Sequence, residues 1–243
     1  MKRIEPIKKP LRGDISVPGD KSIAHRAVIF GSIAQGRTRI FNLSGGDDNS
    51  RTVRAFRQMG VEIGRDGAAL LIEGKGWQGL DRPGQTIDCG NSGTTMRLMS
   101  GLLAGLPFHS ELDGDQSLRR RPMQRVIDPL TEMGAKINSK SGNGLAPLAI
   151  DGGGLKAIHY RMSIASAQVK SAVLLAALQA SGTTTVEEPE QSRDHTEVMI
   201  RGFGGAVTVN GSNISVSGGQ LLTGQDVLIP GDISSAAFFL VAA

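Results

Sequence analysis

The sequence predicts a mixed α/β (α+β) lobe assembled from three βαβαββ units, and three observations carry that prediction. Amphipathic helical stretches stop at Gly60, Gly134 and Gly204, 74 and 70 residues apart. Small, apolar helices opened by Ser or Thr recur at 22–34, 92–103 and 166–180, with starts 70 and 74 residues apart. Two short strands follow each glycine stop. Self-similarity at a near-constant period marks a repeated supersecondary unit.

In chain order, the first unit has a helix over 53–59, the stop at Gly60, and strands over 61–63 and 69–73. The second has a helix over 125–133, the stop at Gly134, and strands over 135–138 and 147–151. The third has a helix over 197–203, the stop at Gly204, and strands over 206–209 and 213–217. Glycine suits each stop because the residue past a helix end often takes the left-handed conformation, where a side chain would clash. Faces such as Ser171-Ala-Val-Leu-Leu-Ala-Ala let the small-residue helices pack closely inside a core. The crossovers should be right-handed. A fourth unit begins: Val17-Pro-Gly-Asp-Lys-Ser-Ile-Ala is echoed by Ile229-Pro-Gly-Asp-Ile-Ser-Ser-Ala, followed by Phe238-Phe-Leu-Val-Ala-Ala. An apolar helix rarely closes a domain, so the expectation is a truncated or split protein.

Composition narrows the class. The 243 residues are 39% hydrophobic and 21% charged, within the ordinary globular range. Aromatics make up only 4%, so the core must be aliphatic and stacking platforms for nucleic-acid bases are scarce. Net charge is +4, and the basic residues are scattered except at Arg119, Arg120, Arg121 and Arg125. That cluster suits a small anion at least as well as a polyanion. A single cysteine, Cys89, excludes an internal disulfide and points to a reducing compartment. The first residues lack a signal-peptide core, and no apolar run approaches the ~20 residues of a membrane span. The localisation expected is cytoplasmic, with no nucleic-acid or membrane partner.

The chemistry is expected at helix starts, where unpaired N–H groups and the positive end of the macrodipole attract anions. Lys21, Ser22 and Arg26 surround the first start. At the second, Gly93 permits close approach of a ligand and Thr94 adds a hydroxyl. Ser166 and Gln168 lie at the third. Repeat symmetry should gather the three at one end of the domain, with Arg121 and Arg193 nearby. Such a site fits a phosphorylated, carboxylated small molecule gripped by guanidinium forks. Each piece alone has a plainer reading: a turn with its N-cap at Gly19-Asp-Lys-Ser, a cap at Ser166, a solvated surface at Arg119–Arg121. Cys89 reads as a packed thiol at the end of a buried strand. His25, His109, His159 and His195 show no metal-ligand spacing, and His195 reads as part of a helix start capped by Asp194 or Thr196. Neither a phosphate-binding P-loop nor a dinucleotide fingerprint is present.

Five segments together resemble one family. Pro18-Gly-Asp-Lys-Ser-Ile-Ala-His-Arg26, Gly90-Asn-Ser-Gly-Thr-Thr-Met-Arg97, Gly114-Asp-Gln-Ser-Leu-Arg-Arg-Arg-Pro-Met123, Ser166-Ala-Gln-Val-Lys-Ser-Ala172 and Arg193-Asp-His-Thr-Glu197 resemble, in order and spacing, the successive motifs of the EPSP synthases. The Gly-Asp-Lys, Ser-Ala-Gln-x-Lys and Arg-x-His-x-Glu versions resemble those of class II bacterial enzymes more than those of class I, and the chain is similar to the N-terminal half of the family. The resemblance implies the enolpyruvyl transferase fold, with two lobes of three βαβαββ units each. Residues 1–19 would be a strand segment of the lower lobe, 20–226 the upper, substrate-binding lobe, and 227–243 the return to the lower lobe.

The implied reaction transfers the enolpyruvyl group of phosphoenolpyruvate to the 5-hydroxyl of shikimate 3-phosphate. It proceeds by addition and elimination, without cofactor or metal, in the shikimate pathway of aromatic amino-acid biosynthesis. Lys21, Ser22, Arg26, Ser166, Ala167, Gln168 and Arg193 would contact shikimate 3-phosphate. Lys21, Gly93, Arg121 and Gln168 would contact phosphoenolpyruvate, and Lys21 would be the catalytic residue present. The family's acid–base carboxylates belong to the other half, so the chain alone is expected to bind substrate without turnover. Glyphosate, which takes the phosphoenolpyruvate position in this family, should be sensitive to a side chain at position 93. The related UDP-N-acetylglucosamine enolpyruvyl transferases carry a Ser-Gly-Ala-Lys-Asn type motif in place of Pro18-Gly-Asp-Lys-Ser and fit less well. The remaining alternative is a non-catalytic half-protein that binds a phosphorylated ligand and acts only with a complementary chain.

Overall fold

The computed structural model describes residues 12–242. Three helices of small and apolar residues fill the centre: α1 (Lys21–Ile33), α3 (Gly93–Ala104) and α5 (Ala167–Ala177). They are buried on nearly every face, as expected of helices without a polar side. Gly101 lies against Ala172, where a Cβ would stand 2.1 Å from the Ala172 carbonyl oxygen. Only glycine lets α3 and α5 approach so closely.

A second, amphipathic helix covers each unit: α2 (Asp47–Gln58), α4 (Gln124–Glu132) and α6 (His195–Gly202). The expected stops hold, with Gly60, Gly134 and Gly204 at φ of +80°, +105° and +84°. Helix α2 begins six residues earlier than expected. Its first turns, Asp47-Asp-Asn-Ser-Arg, carry no apolar periodicity, and their acidic residues favour a helix start through the macrodipole instead. Asp194 is the α6 cap residue by position, but no side chain caps that helix. The expected capping by Asp194 or Thr196 is therefore corrected: the Thr196 hydroxyl is committed to the interior.

The strands are β1 (Gln35–Phe41), β2 (Glu62–Asp66), β3 (Ala69–Lys75), β4 (Ile87–Asp88), β5 (His109–Asp113), β6 (Lys136–Ser139), β7 (Leu148–Asp151), β8 (His159–Arg161), β9 (Thr183–Glu187), β10 (Thr208–Asn210), β11 (Asn213–Ser217) and β12 (Asp226–Leu228). They form three four-stranded sheets of one design, ordered β12-β1-β3-β2, β4-β5-β7-β6 and β8-β9-β11-β10. In each, the outer pair is parallel and the others antiparallel.

The first sheet takes its outer parallel strand from far along the chain. Arg39, Ile40 and Phe41 pair with Asp226, Val227 and Leu228. The domain boundary expected at 226–227 falls inside this strand, so the first sheet reaches Leu228. The strand segment expected over 1–19 lies, as far as residue 11, outside the described residues. Beyond it, Gly19 bridges Gly231. A last helix, α7 (Ile233–Ala242), leaves Phe238 80% and Val241 89% exposed.

Candidate functional site

The central helices present their N-termini to one region, and side chains join them there. Each start is capped three residues ahead: Asp20 accepts from the Ile23 N–H (2.8 Å), Ser92 from Thr95 (3.1 Å) and Ser166 from Val169 (3.4 Å). Because Asp20 caps α1, the Ser22 hydroxyl is available for other partners.

Arg26 ties α1 to the third unit. It is 1% exposed, and Nε donates to Thr196 Oγ1 (2.7 Å), Nη1 to the Ser22 hydroxyl (2.7 Å) and carbonyl (2.9 Å), and Nη2 to Ser171 Oγ (2.6 Å). Four of the five guanidinium N–H groups are thus committed to protein oxygens. Burial lowers its pKa to about 10, against the raising effects of Glu197 and Asp20. Arg26 therefore forms the floor of the site, beneath Ser22. His195 lies beside it, with Nδ1 3.3 Å from Ser22 Oγ, and its pKa is lowered by burial and by Arg26. Arg193 is exposed just ahead of α6, and its charge reaches both Arg26 and His195.

The second and third helix starts meet through Gln168, whose Oε1 accepts from Arg97 Nη1 (2.8 Å) and whose Nε2 donates to Thr94 Oγ1 (2.9 Å). Arg121 reaches the same place and donates to Asn91 Oδ1. Its Nη1 would stand 3.4 Å from a Cβ at Gly93. Burial lowers the Arg97 pKa, and the neighbouring Arg121 and Arg125 lower it further. Two guanidiniums, Arg97 and Arg121, therefore converge on one helix N-terminus, an arrangement that favours a bound anion. Arg119 instead pairs with Asp113 on the surface. Lys21 stands at the rim, 56% exposed and 3.0 Å from Asp48.

Every residue expected at the site thus lies on this surface or directly beneath it, Ser166 and Ala167 half-buried at the α5 start. Sequence reasoning missed Asp48, Asn91, Ser171 and Thr196 as supports, and gave Arg97 no role. The available signal for Arg97 was its position four residues after Gly93, on the same helix face. Cys89 is fully buried, and burial pushes its thiol pKa well up, so it is a packed thiol. Among the described residues, no group of three or more His, Cys, Asp or Glu could hold a metal, and no helix is long and apolar enough to cross a membrane.

Below Lys21, the fully buried His25 imidazole meets Thr52 Oγ1 at 2.7 Å, and Thr52 meets Thr95 at 2.9 Å. Burial lowers the His25 pKa to about 3; Asp48 opposes this, while Arg26 and Lys21 add to it. The folded state therefore binds fewer protons than the unfolded chain between about pH 3 and the ordinary imidazole value of 6.5. The stabilisation is complete above pH 6.5 and is lost as pH falls toward 3. Urea midpoints measured between pH 7 and 4 should fall, and His25→Gln should flatten that slope by close to one proton. An equal slope in both proteins would show that other groups govern the acid limb.

The sequence model of the EPSP synthase (3-phosphoshikimate 1-carboxyvinyltransferase) family matches residues 6–243. Among curated proteins, the 3-phosphoshikimate 1-carboxyvinyltransferase of Bacillus cytotoxicus is 54% identical over 235 residues, covering 97% of this chain and 55% of the relative. That of Geobacter metallireducens is 56% identical over 235 residues, with coverages of 97% and 55%. The EPSP synthase structure from Acinetobacter baumannii matches with a TM-score of 0.92 at 48% identity, covering 97% of this chain and 54% of its own. The three-unit lobe has the enolpyruvyl transferase fold. Within that class, the chain belongs to the EPSP synthase family. It spans about half the length of the curated relatives it matches.

Proposed function

We propose that this chain supplies the upper, substrate-binding lobe of an enzyme that transfers the enolpyruvyl group of phosphoenolpyruvate to the 5-hydroxyl of shikimate 3-phosphate. Residues 20–226 would form that lobe, extended by β12, with the flanking segments belonging to the lower one. The observation that carries the reading is the junction of three helix N-termini through Arg26, Gln168 and Arg97. Between them they offer two anion-binding places, as a reaction between two phosphorylated substrates requires.

Shikimate 3-phosphate would lie over Ser22, Ser166, Ala167 and Gln168, with Arg193 and the remaining Arg26 N–H on its charged groups. Phosphoenolpyruvate would lie at the α3 start, between Gly93, Arg121 and Gln168. Lys21, at the rim between these places, would exchange Asp48 for substrate and stand closest to the reacting atoms. Bound this way, the substrates are oriented while the cationic groups offset charge that grows in the tetrahedral intermediate. Acid–base groups for the hydroxyl and the methylene would come from the other lobe.

Calorimetric titration of the 243-residue chain with shikimate 3-phosphate tests this reading. Saturable binding is expected, weakened about tenfold by Lys21→Ala and by Arg193→Ala, the loss of one charged contact each. The same preparation should show no steady-state turnover. Binding indifferent to both substitutions would remove the assignment, and turnover by this chain would refute the need for a second lobe.

A further inference from the structure

The loop over 189–194 carries Arg193 between Glu188, just past β9, and His195, the first residue of α6. Both ends of this loop meet one buried ammonium. Lys170, on α5, is 1% exposed; its Nζ lies 2.8 Å from Glu188 Oε2 and 2.6 Å from Glu197 Oε1. Glu188 and Glu197 are themselves 4% and 2% exposed. A lysine in a helix core is costly unless paired, and here the two carboxylates come from opposite sides of the same loop. The Ser192 hydroxyl donates to Glu188, which brings the middle of the loop to the cluster as well. A cavity of about 490 Å³, lined by Pro189, Gln191, Ser192, Asp194 and Ile214, lies against the loop. Packing beneath the loop is therefore thin, and polar ties carry its conformation. Glu197 also directly follows Thr196, whose hydroxyl lies 2.7 Å from Ser171 and accepts from Arg26.

We propose that Lys170 is a positioning residue: its ammonium staples both ends of the 189–194 loop and so fixes where Arg193 meets the phosphorylated ligand. Lys170 and Glu197 close two separate sequence motifs, Ser166-Ala-Gln-Val-Lys170 and Arg193-Asp-His-Thr-Glu197, and the staple gives their last residues one physical task. The inference rests on the role proposed above for Arg193.

Two measurements on the 243-residue chain separate the inference from that reading. The first is a double-mutant cycle read by shikimate 3-phosphate titration. Lys170→Met should weaken binding about tenfold when Arg193 is present, and by less than about twofold in an Arg193→Ala background. Equal weakening in both backgrounds would reduce Lys170 to general stability and overturn the proposal. Glu188→Gln provides the cycle if Lys170→Met does not fold, because it leaves Lys170 and Glu197 as a matched pair. The second measurement is amide hydrogen exchange without ligand. Residues 189–196 should exchange faster in either variant while α1 and α3 keep their protection. Unchanged exchange in the loop would overturn the staple whatever the ligand does. Failure of Arg193→Ala alone to affect binding would instead remove Arg193 from the ligand site and leave the exchange result to judge the staple.

Discussion

Replacing Arg26 by Met is expected to cost about 3 kcal/mol of stability, the scale of losing one member of a buried charged network. It should also abolish measurable shikimate 3-phosphate binding. The guanidinium touches α1, α5 and the first turn of α6 together, through Ser22, Ser171 and Thr196. Without it, Ser171 and Thr196 can still bond each other at 2.7 Å, which limits the structural damage. Ser22 would then lose its tie to the guanidinium and keep, toward the third unit, the longer 3.3 Å contact to His195 Nδ1. Methionine retains much of the volume, so loss of charge dominates over cavity formation. Urea unfolding and calorimetry on the same sample read both effects. A variant with unchanged midpoint and intact affinity would show that the Arg26 network is incidental to the site.

Gly93→Ala should separate ligand effects from folding more cleanly. A Cβ at this position would stand 2.7 Å from Arg97 Nη1 and 3.4 Å from Arg121 Nη1. The Arg97 guanidinium is the flexible end of a side chain and can move, but moving it breaks the bond to Gln168. The methyl also fills the space between the helix start and Arg121, where phosphoenolpyruvate is proposed to lie. Gly93 is the first residue of α3, where alanine is tolerated at least as well as glycine, so the unfolding midpoint should hold. In the full-length enzyme, inhibition by glyphosate should weaken by about tenfold to a hundredfold, the range that one crowding methyl produces. An inhibition constant equal to that of the parent would show that the inhibitor lies away from Gly93.

Much of this architecture was legible because glycine and helix capping are local signals. Gly60, Gly134 and Gly204 announce a backbone conformation, and the helix starts announce orphan N–H groups, whatever surrounds them. What escaped depends on residues remote in sequence. Lys170 would be placed on a surface by type, and its burial follows only from Glu188 and Glu197. Thr196 looks like a cap until Arg26, 170 residues away, claims its hydroxyl. The early turns of α2 were hidden by their polarity. Strand β12 is three residues long and has no period to read. At the site, the anion-binding residues were visible in their motifs; Asp48 lies outside those motifs, while Asn91 and Ser171 sit inside two of them but take their supporting role from partners remote in sequence.

The late arrival of β12 bears on how the chain acquires its structure during synthesis. The second and third sheets draw all their strands from one continuous stretch and can close soon after it emerges. The first leaves a β1 edge open until residues 187 positions downstream of Arg39 have been made. Closing so distant a pair is entropically slow, and an open strand edge is a template for pairing with other chains. Of the three sheets, the first to emerge is thus the last to be sealed, and its flank stays unguarded while the other two form.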